Sequence, residues 1–159
     1  MAEGAGLLAF LTLQRAAELC YAQRNTRRLL SRGAYEVGAG HYPTMIALHA
    51  TWLATLWAFG WSRSLTPAFV VVFVLLQVAR VWVLRTLGER WTTRVIIVRG
   101  APRITSGPYV FLSHPNYAIV ALEVPCASLA LGLRWHAIIF GVLNLAILAW
   151  RIRVESAHL

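Results

Sequence analysis

Five apolar runs separated by glycine- and arginine-rich segments set the rhythm of this chain. They cover Gly6–Tyr21, Pro43–Trp61, Leu65–Leu87, Asn116–Gly132 and Trp135–Trp150. Each reads as a helix. Pro43 falls in the first turn of the second run, where its missing N–H costs nothing. The last two runs give about 25 Å of helix each, against a hydrocarbon core of about 30 Å. They either cross a bilayer at minimal length or form a short helical hairpin dipping from one side, turning at Leu131–Arg134. The pattern predicts one all-α integral membrane domain over 1–159, with about five transmembrane helices.

Composition supports lipid as part of the solvent. The chain has 159 residues, 58% hydrophobic and 13% charged, where soluble domains average about 45–50% apolar and about 25% charged. So small a chain leaves much of its surface exposed, and a core cannot hide that excess.

Charge fixes an orientation. The net charge of +9 comes from 15 basic residues, all Arg, against six Glu. Basic residues gather at Gln23–His41 and Gly88–Ser113 and beside the last run, so counting runs places the Arg-rich segments on one side. The reading is N-terminus outside and C-terminus cytoplasmic, and it excludes nucleic acid as a partner. Cys20 and Cys126 read as small buried apolar residues. The five histidines show no metal-ligand spacing, so no metal is expected. The N-terminal residues do not read as a cleaved signal peptide, nor does Ala157-His-Leu159 read as a prenylation signal.

Polar side chains inside apolar runs are costly and usually face the protein interior. Arg15 and Glu18 are three apart and share a helix face, so they can pair. His49 lies in the second run. Arg80 and Arg85, late in the third, read as side chains that snorkel to the interface. Glu123 stands alone in the fourth run, where it either lines a polar pocket or makes a structural pair. In the fifth helix Asn144, Arg151, Glu155 and His158 fall on one stripe, and Arg151 and Glu155 project together.

Two further segments carry expectations. Thr93–Val98 and Arg103–Thr105 flank Gly100-Ala-Pro102 and read as a short β-hairpin or an extended interfacial loop. Gly107–Tyr117 (Gly-Pro-Tyr-Val-Phe-Leu-Ser-His-Pro-Asn-Tyr) crowds Gly, Pro, Tyr, His and Asn together just before an apolar helix. Pro108 and Pro115 rule out one regular helix through it. It converges on the cytoplasmic face with the Arg151/Glu155 stripe and the region after Arg15/Glu18.

Gly107-Pro-Tyr109, then His114-Pro-Asn-Tyr117, then Arg151-Ile-Arg-Val-Glu155 together resemble the isoprenylcysteine carboxyl methyltransferase family from about Leu84 onward. Arg15-x-x-Glu18-Leu, Arg24-Asn25, Gly33-Ala and His41-Tyr-Pro are similar to a bacterial branch of it. Val110, Ser113 and Ser156 stand where the family often has Arg, Arg and Glu. The resemblance implies a methyltransferase of a bacterial inner membrane that uses S-adenosylmethionine without a Rossmann domain. Gly107, Tyr109, His114, Pro115, Tyr117 and Glu155 would form the cofactor pocket. Arg151 and Glu155 would be catalytic, with Arg151 steering the acceptor oxygen. Apart from the resemblance, the polar residues within the apolar runs, Glu123, Asn144, His49, Arg15 and Glu18, are expected toward the substrate. The acceptor would be lipophilic and membrane-partitioned: the carboxylate of a prenylated cysteine, or the hydroxyl of an alkylpyrone or phenolic lipid. Phospholipid N-methylation is an alternative, and so is a non-catalytic scaffold or transport subunit.

Overall fold

The structure, a computed structural model, describes residues 3–157. His158, the last position of the predicted stripe, lies outside the described residues. The chain is mostly helical, in the order α1 (Glu3–Ser31), β1 (Tyr35–Val37), α2 (Tyr42–Gly60), α3 (Pro67–Leu87), β2 (Val95–Ile97), α4 (Pro115–Ala130) and α5 (Arg134–Ser156). The five helices coincide with the five apolar runs. α1 continues to Ser31, well past the first apolar run.

Helix ends follow local chemistry. α3 and α4 begin with Pro67 and Pro115 at the first helical position, where fixed φ suits a helix start. α3 stops at Gly88, whose φ of +52° breaks the helix while its N–H still reaches the Leu84 carbonyl. α4 and α5 form a tight antiparallel pair. Gly132 takes φ +70° in their turn, and Leu133 N–H closes it on Ser128 C=O at 2.9 Å. Pro125 interrupts α4 at the point where Gly141 of α5 lies against it.

Polarity is distributed inside-out. Val71, Leu75 and Val78 of α3, and Ile138, Val142 and Leu145 of α5, are more than half exposed, while Arg80, Glu123 and Asn144 are buried. Scattered exposed apolar residues are ordinary; whole exposed apolar faces around buried charge are not. Among the described residues, two helical segments are long and apolar enough to cross a membrane: Pro67–Arg90 and Arg134–Ser156. At 16 residues α4 spans only about 24 Å. The apolar core joins α1 through α4 around Leu8, Leu11, Trp52, Leu56, Phe73 and Val124.

Three expectations change. The strand Val95–Ile97 does not fold back on Arg103–Thr105; it pairs antiparallel with Tyr35–Val37, Glu36 opposite Ile96. Pro102 offers no ladder donor, and its carbonyl takes Arg90 Nη1–H at 2.7 Å instead. The sheet is pinned by Arg94, whose Nη1 donates to Glu36 Oε2 at 2.8 Å. Arg80 does not snorkel. It is 2% exposed, because Glu18 and Glu123 face it from α1 and α4 and supply the counter-charge. Cys126 is buried as expected, but Cys20 is exposed.

Candidate active site

The Gly107–Tyr117 segment enters as a 3₁₀ turn, Gly107–Val110. Gly107 takes φ +59°, and any side chain there would collide with Thr86 of α3, so glycine is required twice over. Pro115 is buried at the start of α4 and fixes the direction in which the following helix leaves. This local geometry turns His114 and Tyr117 toward the end of α5.

There the two motifs meet through one hydroxyl. Arg151 Nε donates to Tyr117 Oη at 2.8 Å. A guanidinium has no acceptor, so the phenol proton must point onward, and Tyr117 Oη donates to Glu155 Oε2 at 2.6 Å. Arg151 and Glu155 are thus linked through Tyr117 rather than as a surface pair. Arg151 is 6% exposed, with Nη1 on the Met45 sulfur at 3.1 Å. The His114 ring stacks on Tyr117 at 5.3 Å, with Nδ1 3.9 Å from Glu155 Oε2. Tyr109 is half-buried nearby, and its phenol is pushed up to about 12 by burial and by the Glu155 carboxylate.

These residues stand on a cavity of about 590 Å³, walled by Tyr109, His114, Tyr117, Arg151 and Glu155 on one side and by Trp91 and the β2 strand on the other. A second cavity of about 350 Å³ runs among α1, α2, α4 and α5 and is lined mainly by apolar surface. Arg15, Glu18, His49 and Asn144 line it. The two cavities share Trp91, Thr92, Asn116, Tyr117 and Arg151 as walls. The side-chain atoms around them that are buried without a hydrogen-bond partner include Trp91 Nε1, Asn116 Oδ1 and Asn144 Oδ1. A buried polar atom left unpaired costs about 1–3 kcal/mol, and a ligand group placed in the cavities would relieve it.

Glu123 lines neither cavity. Its carboxylate binds Arg80 through Oε2 and accepts from Gln77 Nε2 at 3.1 Å, and Arg15 Nη2 lies 2.9 Å away. Glu18 completes the cluster, 3.1 Å from Arg15 and 3.3 Å from Arg80. Of the expected site residues, the structure therefore gathers Tyr109, His114, Tyr117, Arg151 and Glu155 at the larger cavity, and His49, Asn144, Arg15 and Glu18 at the smaller. Gly107 and Pro115 shape the chain behind them.

Sequence reasoning passed over Asn116, Trp91, Thr92, Tyr42 and Met45. Asn116 lay inside the His114–Tyr117 motif and was legible there. Trp91, in an Arg-rich loop, carries no signal separating it from an interface anchor. It is held by α1: Asn25 Nδ2 donates to its carbonyl at 2.9 Å.

Helices with exposed apolar faces, around a cavity of mixed polarity that adjoins an apolar one, fit a helical protein of membrane type. Residues 69–159 match the model of the isoprenylcysteine carboxyl methyltransferase (ICMT) family, and the chain belongs to that family. It is also similar, 34% identical over 158 residues, to the uncharacterized protein YpbQ of Bacillus subtilis (strain 168), covering 96% of this chain and 94% of that protein. No solved structure matches.

Proposed function

We propose that this protein is an S-adenosylmethionine-dependent O-methyltransferase of a lipophilic, membrane-partitioned acceptor. In this reading the five helices lie in an inner membrane, the last two either crossing it or dipping in as a short hairpin, with the site on the cytoplasmic side. The observation that carries it is the meeting, at Tyr117 and Arg151, of a cavity lined by charged and aromatic side chains with one that is mainly apolar. A reaction that joins a polar donor to a lipid acceptor needs that division.

The residues of the larger cavity fit the donor. Glu155 offers a carboxylate to a cationic group, and Tyr109, Tyr117 and His114 offer aromatic faces, which attract a sulfonium. Trp91 Nε1 and Asn116 Oδ1 have hydrogen-bonding capacity left over. Bound there, the cofactor supplies an electrophilic methyl group. The protein's task is then mainly alignment, worth up to about 7–11 kcal/mol of barrier. Arg151 is held in place by Tyr117 and Met45, and a guanidinium so fixed can hold one lone pair of an acceptor oxygen and aim another. The acceptor is the carboxylate of a prenylated cysteine, or the hydroxyl of an alkylpyrone or phenolic lipid, with its chain in the apolar cavity.

The test is calorimetry with S-adenosylhomocysteine, together with transfer of labelled methyl to acid, enol and phenol lipids. Binding plus transfer to at least one of them is expected. Neither binding nor transfer overturns the reading.

A further inference from the structure

His49 does a job that the site described so far leaves unassigned. It stands on α2 in the wall of the apolar cavity. Its Nδ1 lies 2.9 Å from the Met45 carbonyl. A carbonyl only accepts, so Nδ1 carries the hydrogen. In the neutral ring with its hydrogen on Nδ1, the lone pair is on Nε2. Among the described residues Nε2 has no hydrogen-bond partner. The ring is set edge-on to Trp52 at 6.4 Å. Met45, which anchors His49 through its carbonyl, also touches Arg151 through its sulfur. Met45 lies about one helical turn before His49 on α2, so both side chains stand on the same wall as Arg151.

No other group on that wall is set to take a proton. Arg15, Arg80 and Arg151 have no acceptor site. The Glu18 carboxylate is committed to Arg15, Arg80 and Gln14. Tyr117 Oη is used between Arg151 and Glu155, and Tyr42 Oη bonds Thr93. Asn116 and Asn144 are amides.

We infer that His49 is the proton acceptor for a neutral hydroxyl acceptor, a phenol or an enol, held in the apolar cavity. The inference rests on reading the two cavities as donor and acceptor chambers. As the acceptor oxygen bonds to the methyl carbon, its proton passes to His49 Nε2. The methyl–sulfur bond breaks with its electron pair staying on sulfur, which leaves as a neutral thioether. The imidazolium then gives its proton to water from the larger cavity, with which the smaller shares its walls. A carboxylate acceptor arrives already ionised and does not need this step.

Two measurements test it on the full chain in lipid nanodiscs. In the first, without cofactor, a dodecyl-substituted 4-nitrophenol is titrated into the protein. In the wild type its absorption shifts to the phenolate band on binding, and in His49→Gln it does not. A bound probe that stays neutral in the wild type overturns the inference, whatever the variants do. In the second, labelled methyl transfer to 4-dodecylphenol is compared with transfer to N-acetyl-S-farnesylcysteine. His49→Gln lowers phenol transfer about 100-fold or more, the scale of a lost general base, and lowers carboxylate transfer much less. Free imidazole restores phenol transfer in His49→Ala, and retained S-adenosylhomocysteine binding reports the fold. Equal losses on both acceptors, or wild-type transfer to the carboxylate alone, sink the inference and leave the methyltransferase reading standing. Transfer to neither acceptor, with no S-adenosylhomocysteine bound, sinks both.

Discussion

The molecule contains two clusters built from the same side chains, arginine and glutamate, that end in different physical states. Between α1, α3 and α4, Arg15, Glu18, Arg80 and Glu123 neutralise one another, and Glu123 and Arg80 are almost wholly buried. Between α4 and α5, Arg151 and Glu155 are separated by the Tyr117 hydroxyl, and both face open space. The first cluster is closed: each charge has its counter-charge inside the protein. The second is held in position but left with capacity for a ligand. The charge types do not distinguish a structural clamp from a reactive site: Arg15, Glu18 and Arg80 also line the apolar cavity, but their charges are spent on one another and on Glu123, which borders neither cavity.

The largest expected effect lies in the closed cluster. Removing one member of a buried pair leaves its partner uncompensated, at about 3–5 kcal/mol. Glu123→Leu should therefore lower thermal stability sharply in detergent, with any loss of methyl transfer following the loss of fold. If Glu123→Leu left the melting temperature intact and removed activity alone, the division between the clusters would collapse.

Next comes Arg151→Lys. Lysine keeps the charge but cannot place Nε on Tyr117 while Nη1 meets Met45. Turnover should fall about 100-fold, the scale for slight misplacement of an aligned reactant, with S-adenosylhomocysteine affinity affected less. An equal fall in both would contradict the assignment of Arg151 to the acceptor side.

Glu155→Gln should weaken S-adenosylhomocysteine binding by about 1.5–3 kcal/mol, roughly ten- to hundredfold in Kd, with only a small change in melting temperature. Calorimetry checks the first and a thermal melt the second. A melt as damaging as that of Glu123→Leu would place Glu155 in a structural role too.

The smallest effect is a pH dependence at Tyr109. Its phenol is pushed from 10.0 up to about 12 by burial and then by Glu155. The folded state holds this proton more tightly than the unfolded one. The associated stability is therefore fully present below about pH 10 and is lost as pH rises toward 12. Tyr109→Phe should flatten that part of the difference between melting temperatures at neutral and alkaline pH. An unchanged slope would mean that Tyr109 titrates normally.

Much of this protein is determined by the sequence read alone. Apolar runs too rich for so small a core require helices with lipid-facing surfaces, and α1 to α5 fall on those runs. Glycine and proline at 107, 108 and 115 require a shaped break before α4, and the period of α5 puts Arg151 and Glu155 on one stripe. These properties are local, set by spacing, backbone restriction and the cost of hiding apolar area, so they can be read without knowing what packs where. The tertiary structure decided the rest. Strand β2 pairs with a segment sixty residues earlier in the chain, as the Glu36–Ile96 register shows, and a two-stranded ladder carries no mark of its partner in either strand. Arg80 turned inward because Glu18 and Glu123 arrive from two other helices. The Tyr117 hydroxyl came between Arg151 and Glu155, and Trp91 became a wall of both cavities because Asn25 holds its backbone from α1. Cavities are spaces between elements, and only the arrangement of all five helices could say which arginines and glutamates would border one.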